Sequence, residues 1–155
     1  MSISDSVTSI GECAFGDCSS LTSIEIPDSV TSIGEDAFYG CTSLTSVTIG
    51  KGVTCIGRAT FGCCTSLTSV EIGDNVALID DAAFYDSGIK TIILGSNPLL
   101  HIAMNAFYKS KLEIIEFKGT KKEVKKNGIG SISLKRWKEI PTLKKIICTN
   151  GVIKL

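Results

Sequence analysis

Seven cysteines and a single histidine are the residues of this 155-residue chain whose types most directly suggest chemistry. Cysteine thiolates can act as nucleophiles, as metal ligands or as disulfide partners. Cys18, Cys41 and Cys64 are spaced 23 residues apart, and no two cysteines have the C-x-x-C spacing of zinc ribbons and thioredoxin-like sites. The equal spacing predicts a column of thiols that pack as small buried hydrophobes. We predict that all seven cysteines are reduced and free of metal.

The sequence excludes a metal site with several histidines, because His101 is the only histidine. The equivalent position in the other repeats, at multiples of 23 residues from His101, holds Ser9, Ser32, Cys55 and Leu78. This variety indicates a semi-exposed, variable position. The Gly128-Ile129-Gly130 tract is too short for a dinucleotide fingerprint. No serine or threonine has a partnered histidine or lysine in the pattern, so the sequence predicts a protein without catalytic residues or cofactors.

Composition and charge narrow the class of protein further. Hydrophobic residues make up 43% and charged residues 21% of the chain, as expected for one folded domain. The net charge of zero argues against a dedicated nucleic-acid-binding protein. No apolar run approaches the roughly 18 residues of a membrane-spanning helix.

The charges are distributed unevenly along the chain. Residues 118–155 contain ten lysines and one arginine against two glutamates, a net charge of +9. Residues 1–117 contain five basic and fourteen acidic residues, a net charge of −9. A basic segment can contact acidic polysaccharide, phosphate or another anionic partner, although a solvated, lysine-rich lid is the interpretation we prefer.

A 23-residue repeat organises most of the chain. Residues 6–26 read SVTSIGECAFGDCSSLTSIEI, and residues 29–49 and 52–72 repeat this sequence almost without change. Two weaker copies follow at residues 75–94 and 98–117. Two columns of large apolar residues have this spacing: Phe15, Phe38, Phe61, Phe84 and Phe107, and Ile10, Ile33, Ile56, Ile79 and Ile102. The repeat predicts a solenoid in which each unit packs mainly on its neighbours.

Each repeat ends in the pattern L-x-x-I-x-I, as at Leu21, Ile24 and Ile26. This alternation predicts a β-strand with one buried face. Stacked repeats should therefore form a parallel sheet with one such strand per repeat. The I-G-x-x-A-F segment must return on the opposite wall, where its phenylalanine fills the space between the walls.

The pattern L-T-S-I-x-I-P-x-S-V-T-S-I-G-x-x-A-F-x-x-C resembles the BspA-type leucine-rich repeat. The resemblance covers five repeats in residues 3–117, and residues 118–155 resemble the C-terminal cap of such proteins. It implies a right-handed, β-rich leucine-rich repeat solenoid without catalytic residues. Proteins of this family occur on bacterial and protozoan surfaces, where they bind host matrix proteins or other cells. The fourth copy lacks one residue near Asp86-Ser87-Gly88 and the fifth has one extra residue before Phe107, changes that threaten the register only locally.

Physical reasoning also predicts a cap in residues 118–155, because the end of a solenoid exposes apolar core and an unpaired strand edge. Thr120 and Glu123 have the spacing of a capping box that begins a short helix, and Asn127-Gly128 should end it. Asn150-Gly151 predicts a two-residue hairpin turn. We predict that Trp137 anchors the core of the cap.

The predicted sheet presents an extended surface, the usual binding face of a solenoid. Ten residues form this predicted binding face: Ser23, Glu25, Ser46, Thr48, Ser69, Glu71, Thr91, Ile93, Ile114 and Glu116. Small hydroxyl residues with a sparse line of glutamates can bind a protein or a glycan. The alternative is that this composition is generic for the surface of a strand and forms no specific binding site. Ile93 and Ile114 are apolar where earlier copies are polar. They either form a contact patch or, as we prefer, pack beneath the cap.

These features predict a non-catalytic protein–protein interaction module, the C-terminal repeat region of a cell-surface or secreted adhesion protein. Its partner would be a host matrix or cell-surface protein, or a glycan, with no nucleic acid, cofactor or membrane span. Free thiols, the lack of a signal segment and the lack of an N-x-S/T acceptor favour the alternative of a cytoplasmic scaffold. The repeats begin at Ser2 or Ile3. This start predicts a fragment of a longer protein, or an open first edge through which the chain self-associates.

Overall fold

Two walls of parallel strands form a solenoid in the computed structural model, which describes residues 1–129, 132–137 and 140–155. A two-residue strand lies on one wall in each repeat: β1 (Ser9–Ile10), β3 (Ser32–Ile33), β5 (Cys55–Ile56), β7 (Leu78–Ile79) and β9 (His101–Ile102). A four-residue strand lies on the other wall: β2 (Ser23–Ile26), β4 (Ser46–Ile49), β6 (Ser69–Ile72), β8 (Thr91–Leu94) and β10 (Ile114–Phe117). Alternate residues of the long strands are buried, as in β2 and β6. The predicted leucine-rich repeat solenoid is confirmed.

The two walls differ in their continuity. The short strands pair without interruption in the order β1-β3-β5-β7-β9. The long strands form two sheets, one of β2 and β4 and one that contains β6, β8 and β10. Among the described residues, no ladder pairs β4 with β6, and the short strands at this joint pair only at Ile33 and Ile56. The long-strand wall is therefore interrupted between the second and third repeats.

A column of phenylalanine rings fills the space between the two walls. Successive ring centroids from Phe15 to Phe107 lie 5.1, 5.4, 5.6 and 5.4 Å apart, and the interplanar angles are 1°, 7°, 15° and 6°. Phe38, Phe61 and Phe84 are completely buried. Stacked rings contribute attraction beyond the burial of their area. The predicted column is confirmed, and it continues across the interrupted joint through Phe38 and Phe61.

The turn that follows each short strand contains recurring left-handed backbone. It occurs two residues before the phenylalanine, at Cys13, Asp36, Ala59 and Ala82, and two residues after it, at Asp17, Gly40, Cys63, Asp86 and Lys109. Only glycine adopts this conformation without a steric penalty. Hydrogen bonds between the turns of neighbouring repeats offset the penalty: the Phe38 amide donates to the Thr60 carbonyl at 3.0 Å, and the Phe61 amide donates to the Ala83 carbonyl at 2.8 Å.

The two irregular repeats keep the strand register because their length changes fall in bends. Near the missing residue of the fourth copy, the Gly88 amide donates to the Cys64 carbonyl at 3.1 Å. The extra residue of the fifth copy lies in the bend before β9, where Leu99 is 77% exposed and Leu100 is buried. β8 pairs over four residues with both β6 and β10. The solenoid therefore passes through both changes without losing a strand.

The C-terminal segment contains two short helices and a hairpin: α1 (Lys121–Asn127), α2 (Leu134–Trp137), β11 (Lys145–Cys148) and β12 (Gly151–Lys154). The predicted capping box is present, since the Glu123 amide donates to Thr120 Oγ1 at 3.3 Å and the Thr120 amide donates to Glu123 Oε2 at 2.5 Å. Gly128 is the C-cap of α1. Gly130 of the Gly128-Ile129-Gly130 tract lies outside the described residues.

Trp137 closes the end of the phenylalanine column. Its side chain is completely buried, and its ring centroid lies 6.2 Å from that of Phe107. The indole N–H donates to the Ile129 carbonyl at 3.4 Å, so the one polar atom of the ring has a partner. Trp137 is the predicted anchor of the cap core.

The hairpin turn lies one residue earlier than the sequence predicted. Cys148 pairs with Gly151, which leaves Thr149 and Asn150 as the two turn residues. Asn150 is held by α1, because its Oδ1 accepts the Lys121 amide at 2.9 Å. Gly151 has a φ of +126°, a backbone conformation that other residues adopt only with strain, and a Cβ there would also displace the end of the Lys121 side chain. The glycine is thus required at the start of β12 and not in the turn.

Candidate interaction surface on the strand face

The outward side chains of the long strands form one surface, which we call the strand face. Strand register aligns Ser23 with Ser46 in the first sheet, and Ser69, Thr91 and Ile114 in the second. The six predicted face residues of the first three repeats are exposed: Ser23, Glu25, Ser46, Thr48, Ser69 and Glu71. The four from the last two repeats are half-buried: Thr91, Ile93, Ile114 and Glu116. All ten therefore lie on the outward side of the sheet.

The strand face extends beyond the repeats onto the cap. β11 pairs in parallel with β10, and β12 pairs antiparallel with β11, so the second sheet has the order β12-β11-β10-β8-β6. Register places Lys145 beside Ile114 and Ile147 beside Glu116. Lys154 and Val152 follow in the next strand. The sequence predicted the hairpin without showing that it joins the sheet, although the short apolar run Ile146–Cys148 is a strand signal that could have indicated it.

An apolar band crosses the cap-proximal half of the strand face. We call this set the isoleucine band: Ile93, Ile114, Ile147 and Val152. The three isoleucines are half-buried and Val152 is 47% exposed. The preference for Ile93 and Ile114 packing beneath the cap is wrong, because the cap strands lie beside these residues in the same sheet. The residues that do pack inward are their neighbours Ile92 and Ile115, which are completely buried.

A cleft of about 480 Å³ opens where the strand ladder is interrupted. Val47 and Ile49 of β4 line it, and they are half-buried where their counterparts in β2 and β6 are buried. Glu71, Asp74 and Lys118 contribute charges to the same cleft. The cleft divides the hydroxyl-rich half of the strand face from the half that carries the isoleucine band.

Among the described residues, two exposed ion pairs link the repeats to the cap. Lys118 Nζ lies 2.5 Å from Glu71 Oε1, and Lys144 Nζ lies 2.7 Å from Glu113 Oε2. The Glu71 carboxylate raises the pKa of Lys118 through its hydrogen bond and charge. The Lys144 ammonium lowers the pKa of Glu113 in the same way. Each shift therefore favours the charged form of the side chain concerned, Lys118 in one pair and Glu113 in the other.

The cysteine column is buried only in the interior repeats. Cys41 and Cys64 are completely buried, and their Sγ atoms donate to the carbonyls of Phe15 and Phe38 at 3.1 and 3.2 Å. Each thiol thus contacts the backbone of the preceding repeat, whereas Cys18, in the first 23-residue repeat, is exposed. The prediction of a buried column is wrong at Cys18.

Burial also sets the reactivity of these thiols. It raises the pKa of Cys64 to about 12 and raises that of Cys41. A thiol with a raised pKa supplies little thiolate, the form that attacks substrates or binds metals. All seven cysteines are free thiols in the structure. Their arrangement in the interior repeats suits packing better than chemistry.

The described part of the chain holds no group of three or more histidine, cysteine, aspartate or glutamate side chains placed to bind a metal ion. His101 is the first residue of β9 and is exposed on the short-strand wall. Neither α1 nor α2 has the length or apolar character of a membrane-crossing helix.

Known structures with this architecture are leucine-rich repeat proteins. The chain is 31% identical, with a TM-score of 0.76, to a leucine-rich cell surface protein from Faecalibacterium prausnitzii, over 86% of this chain and 35% of that one. It is 30% identical, with a TM-score of 0.67, to a leucine-rich repeat protein from Eubacterium ventriosum, over 76% of this chain and 31% of that one. A leucine-rich repeat protein from Bacteroides ovatus shares the fold at 24% identity and a TM-score of 0.56. The chain spans about a third of the length of the first two structures.

No curated protein matches the chain. The model of the BspA type leucine-rich repeat region matches residues 1–113 with six copies, one more than the five 23-residue repeats of the sequence. Ser2 pairs in parallel with Glu25 as a further neighbour of β2. The match covers well over half of the chain and agrees with the solenoid, its strand register and its phenylalanine column. The chain belongs to the BspA-type leucine-rich repeat family.

Proposed function

We propose that the strand face binds a protein partner and that the chain is part of a cell-surface or secreted adhesion protein. The isoleucine band carries this proposal. These apolar side chains lie on the outward side of the sheet with Lys145 and Lys154 at one border, and Glu116 lies between Ile93 and Ile147. An exposed apolar patch with charged neighbours is typical of a protein interface. The action is binding without catalysis, as is general for leucine-rich repeat proteins.

The resemblance to a cell surface protein from Faecalibacterium prausnitzii supports an extracellular location. The partner on this view is a host matrix or cell-surface protein. A glycan is the second ligand class, for the hydroxyl-rich half of the face, where Ser23, Ser46 and Thr48 are exposed.

The cysteines favour a second candidate, an intracellular scaffold that binds its partner through the same face. All seven are free thiols, and Cys13 and Cys18 are exposed. Exposed thiols persist more readily in a reducing compartment than outside the cell. The two candidates differ in location and not in the surface that they use.

The first repeat suggests self-association as a further mode of binding. β1 is an edge strand of the short-strand wall, and the side chains of Ile3, Val7 and Phe15 are only half-buried at this end. An exposed strand edge beside apolar side chains is a site for strand addition. Light scattering that gives the mass of one chain at high concentration would contradict self-association.

Protease shaving of intact source cells tests the location. An antibody to the solenoid should lose its epitope while a cytosolic marker survives, because an extracellular protein is accessible to the protease. Persistence of the epitope until the cells are lysed would contradict the adhesion proposal and support the intracellular scaffold.

A pair of matched double variants tests the surface. Ile114→Ser with Ile147→Ser removes the centre of the isoleucine band, whereas Leu99→Ser with Met104→Ser removes two exposed apolar side chains that lie elsewhere. Binding to purified matrix proteins and mucin should fall about tenfold or more in the first variant, since interface cores concentrate binding energy. It should stay unchanged in the second. Equal losses in both variants would contradict the strand face as the binding surface.

A further inference from the structure

The outward side of α1 carries a concentrated positive charge. Lys122, Lys125 and Lys126 are exposed, and their spacing of three and four residues places them on one side of the helix. Val124, on the opposite side, is completely buried. The fold therefore fixes which side of α1 faces solvent, and that side is formed by ammonium groups.

This arrangement conflicts with the stability of the helix itself. Lys121 and Lys125, and Lys122 and Lys126, are like-charged pairs four residues apart, which weaken a helix. The one carboxylate on α1, that of Glu123, accepts the Thr120 amide in the capping box, which lowers its pKa. The capping box and the Gly128 C-cap hold the helix in place despite the repulsion. Lys125 and Lys126 lie in the last turn, where positive charge favours the helix dipole and offsets part of this repulsion. Lys122 lies in the first turn, where the dipole does not favour positive charge.

The lysines of α1 also lack ionic partners in the described part of the chain. The ion pairs of the cap join Lys118 to Glu71 and Lys144 to Glu113, and neither involves the helix. Residues 1–117 carry a net charge of −9, but none of their carboxylates forms an ion pair with α1 in the described structure. The positive charge is thus left available to a ligand.

We infer that the outward side of α1 binds a sulfated polysaccharide. Lysine ammonium groups act as point charges suited to repeated sulfates and need no planar, paired geometry. Binding of single-stranded nucleic acid would draw on exposed aromatic rings for base stacking, whereas Trp137 is completely buried. A membrane surface would require an exposed apolar side on the helix, and the Val124 side is covered. This site is separate from the strand face and goes beyond the function proposed for it.

Fluorescently labelled heparin, with the whole chain in solution, is the probe that tests this site. Lys122→Gln, Lys125→Gln and Lys126→Gln together remove the site, and glutamine keeps the helix propensity. Lys51→Gln, Lys90→Gln and Lys111→Gln together are the matched control, because they remove the same charge from exposed lysines of the repeats. Thermal melting of both variants checks that the fold is kept.

We expect heparin affinity of the α1 variant to fall by roughly tenfold or more at 50 mM salt, and that of the control to change by less than about twofold. Native binding should weaken by about tenfold or more between 50 and 200 mM salt, as for a site of about three charge contacts. Equal losses in the two variants, or native binding to desulfated heparin that matches heparin, would overturn the inference. Tighter binding to polyuridylic acid than to heparin would overturn it in favour of nucleic acid. Because the strand-face variants keep α1, failure of either proposal leaves the other testable.

Discussion

The joint between the second and third repeats differs from the joint between the third and fourth. At the first joint the phenylalanine stack and the turn hydrogen bonds are present, but no ladder pairs β4 with β6 in the described chain. At the second joint the phenylalanine stack, the turn hydrogen bonds and the strand ladder are all present, and the ladder pairs β6 with β8 over four residues. The ring spacings are 5.4 and 5.6 Å, so the core is equally close at both joints. The core can therefore hold neighbouring repeats together without the outer ladder.

The same joint separates two kinds of strand face. On the N-terminal side the outward residues are serine, threonine and glutamate, and the wall contains only β2 and β4. On the C-terminal side five strands form one sheet that includes the cap and carries the isoleucine band. A wider, continuous sheet offers a larger apolar surface to a partner, which is why we place the interface core there.

Loss of a central ring should produce the largest effect. Phe61→Ala removes a completely buried ring that stacks on Phe38 across the interrupted joint. We expect the free energy of unfolding to fall by roughly 3–5 kcal/mol, as for buried phenylalanine in general. Urea denaturation followed by circular dichroism measures this change.

Phe15→Ala is the matched control, because Phe15 occupies the same position in the first repeat but is only half-buried. Its loss should have a smaller effect. If both variants lose the same stability, or if Phe61→Ala melts like the native chain, the core does not hold the joint.

Amide hydrogen exchange should distinguish the two joints directly. Amides of β4 and β6 that face the gap lack a ladder partner, whereas those of β8 are paired on both sides. A net hydrogen bond contributes about 1 kcal/mol, so we expect exchange in β4 and β6 to be about fivefold faster than in β8. NMR of the exchanging chain reports each strand separately. Equal protection of β4 and β8 would mean that the ladder closes in solution.

The sequence predicted what the repeat dictates, because its signals recur every 23 residues. The phenylalanine column, the strand positions and the outward side chains are all fixed by this period. The interrupted ladder was not predictable, since the long strands of the second and third repeats, SVTI and SVEI, differ at a single position. The exposure of Cys18 followed from its place in the first repeat, which a repeat pattern alone does not distinguish.

The cap was predictable in its local signals and not in its tertiary placement. The capping box, the C-cap glycine and the buried tryptophan each have a local sequence signature. The turn register was wrong by one residue because Asn150 bonds to α1, a contact distant in sequence. For the same reason the sequence did not show that Lys145, Ile147, Val152 and Lys154 extend the strand face.

The C-terminal cap contains α1, a helix that repulsion among its own lysines weakens. Thr120→Ala removes the side-chain acceptor for the Glu123 amide. We expect a loss of about 1 kcal/mol in stability, as for other N-cap threonines. Thr149→Ala is the matched control, because Thr149 Oγ1 also donates to the cap backbone, at the Gly119 carbonyl, but caps no helix. A larger loss in the control would show that the hairpin contact, and not the capping box, secures α1.

The smallest effect should come from the ion pair that joins the fifth repeat to the cap. Lys144 lowers the pKa of Glu113 below its ordinary value of 4.5. A carboxylate with a lowered pKa stabilises the fold above its unfolded-state pKa, and this stabilisation is lost as the pH falls through the folded-state pKa. Glu113→Gln should therefore lower the melting temperature slightly at neutral pH and leave it unchanged well below pH 4.5.

Added salt should also reduce the neutral-pH difference, because exposed pairs are screened. Glu35→Gln, which replaces an exposed glutamate outside both ion pairs, is the control and should show no such pH dependence. A difference for Glu113→Gln that persists in acid would mean that shape or hydrogen bonding of the side chain matters and its charge does not. The backbone would then be the main tie between the fifth repeat and the cap, since the Lys144 amide donates to the Glu113 carbonyl at 2.8 Å whatever the pH.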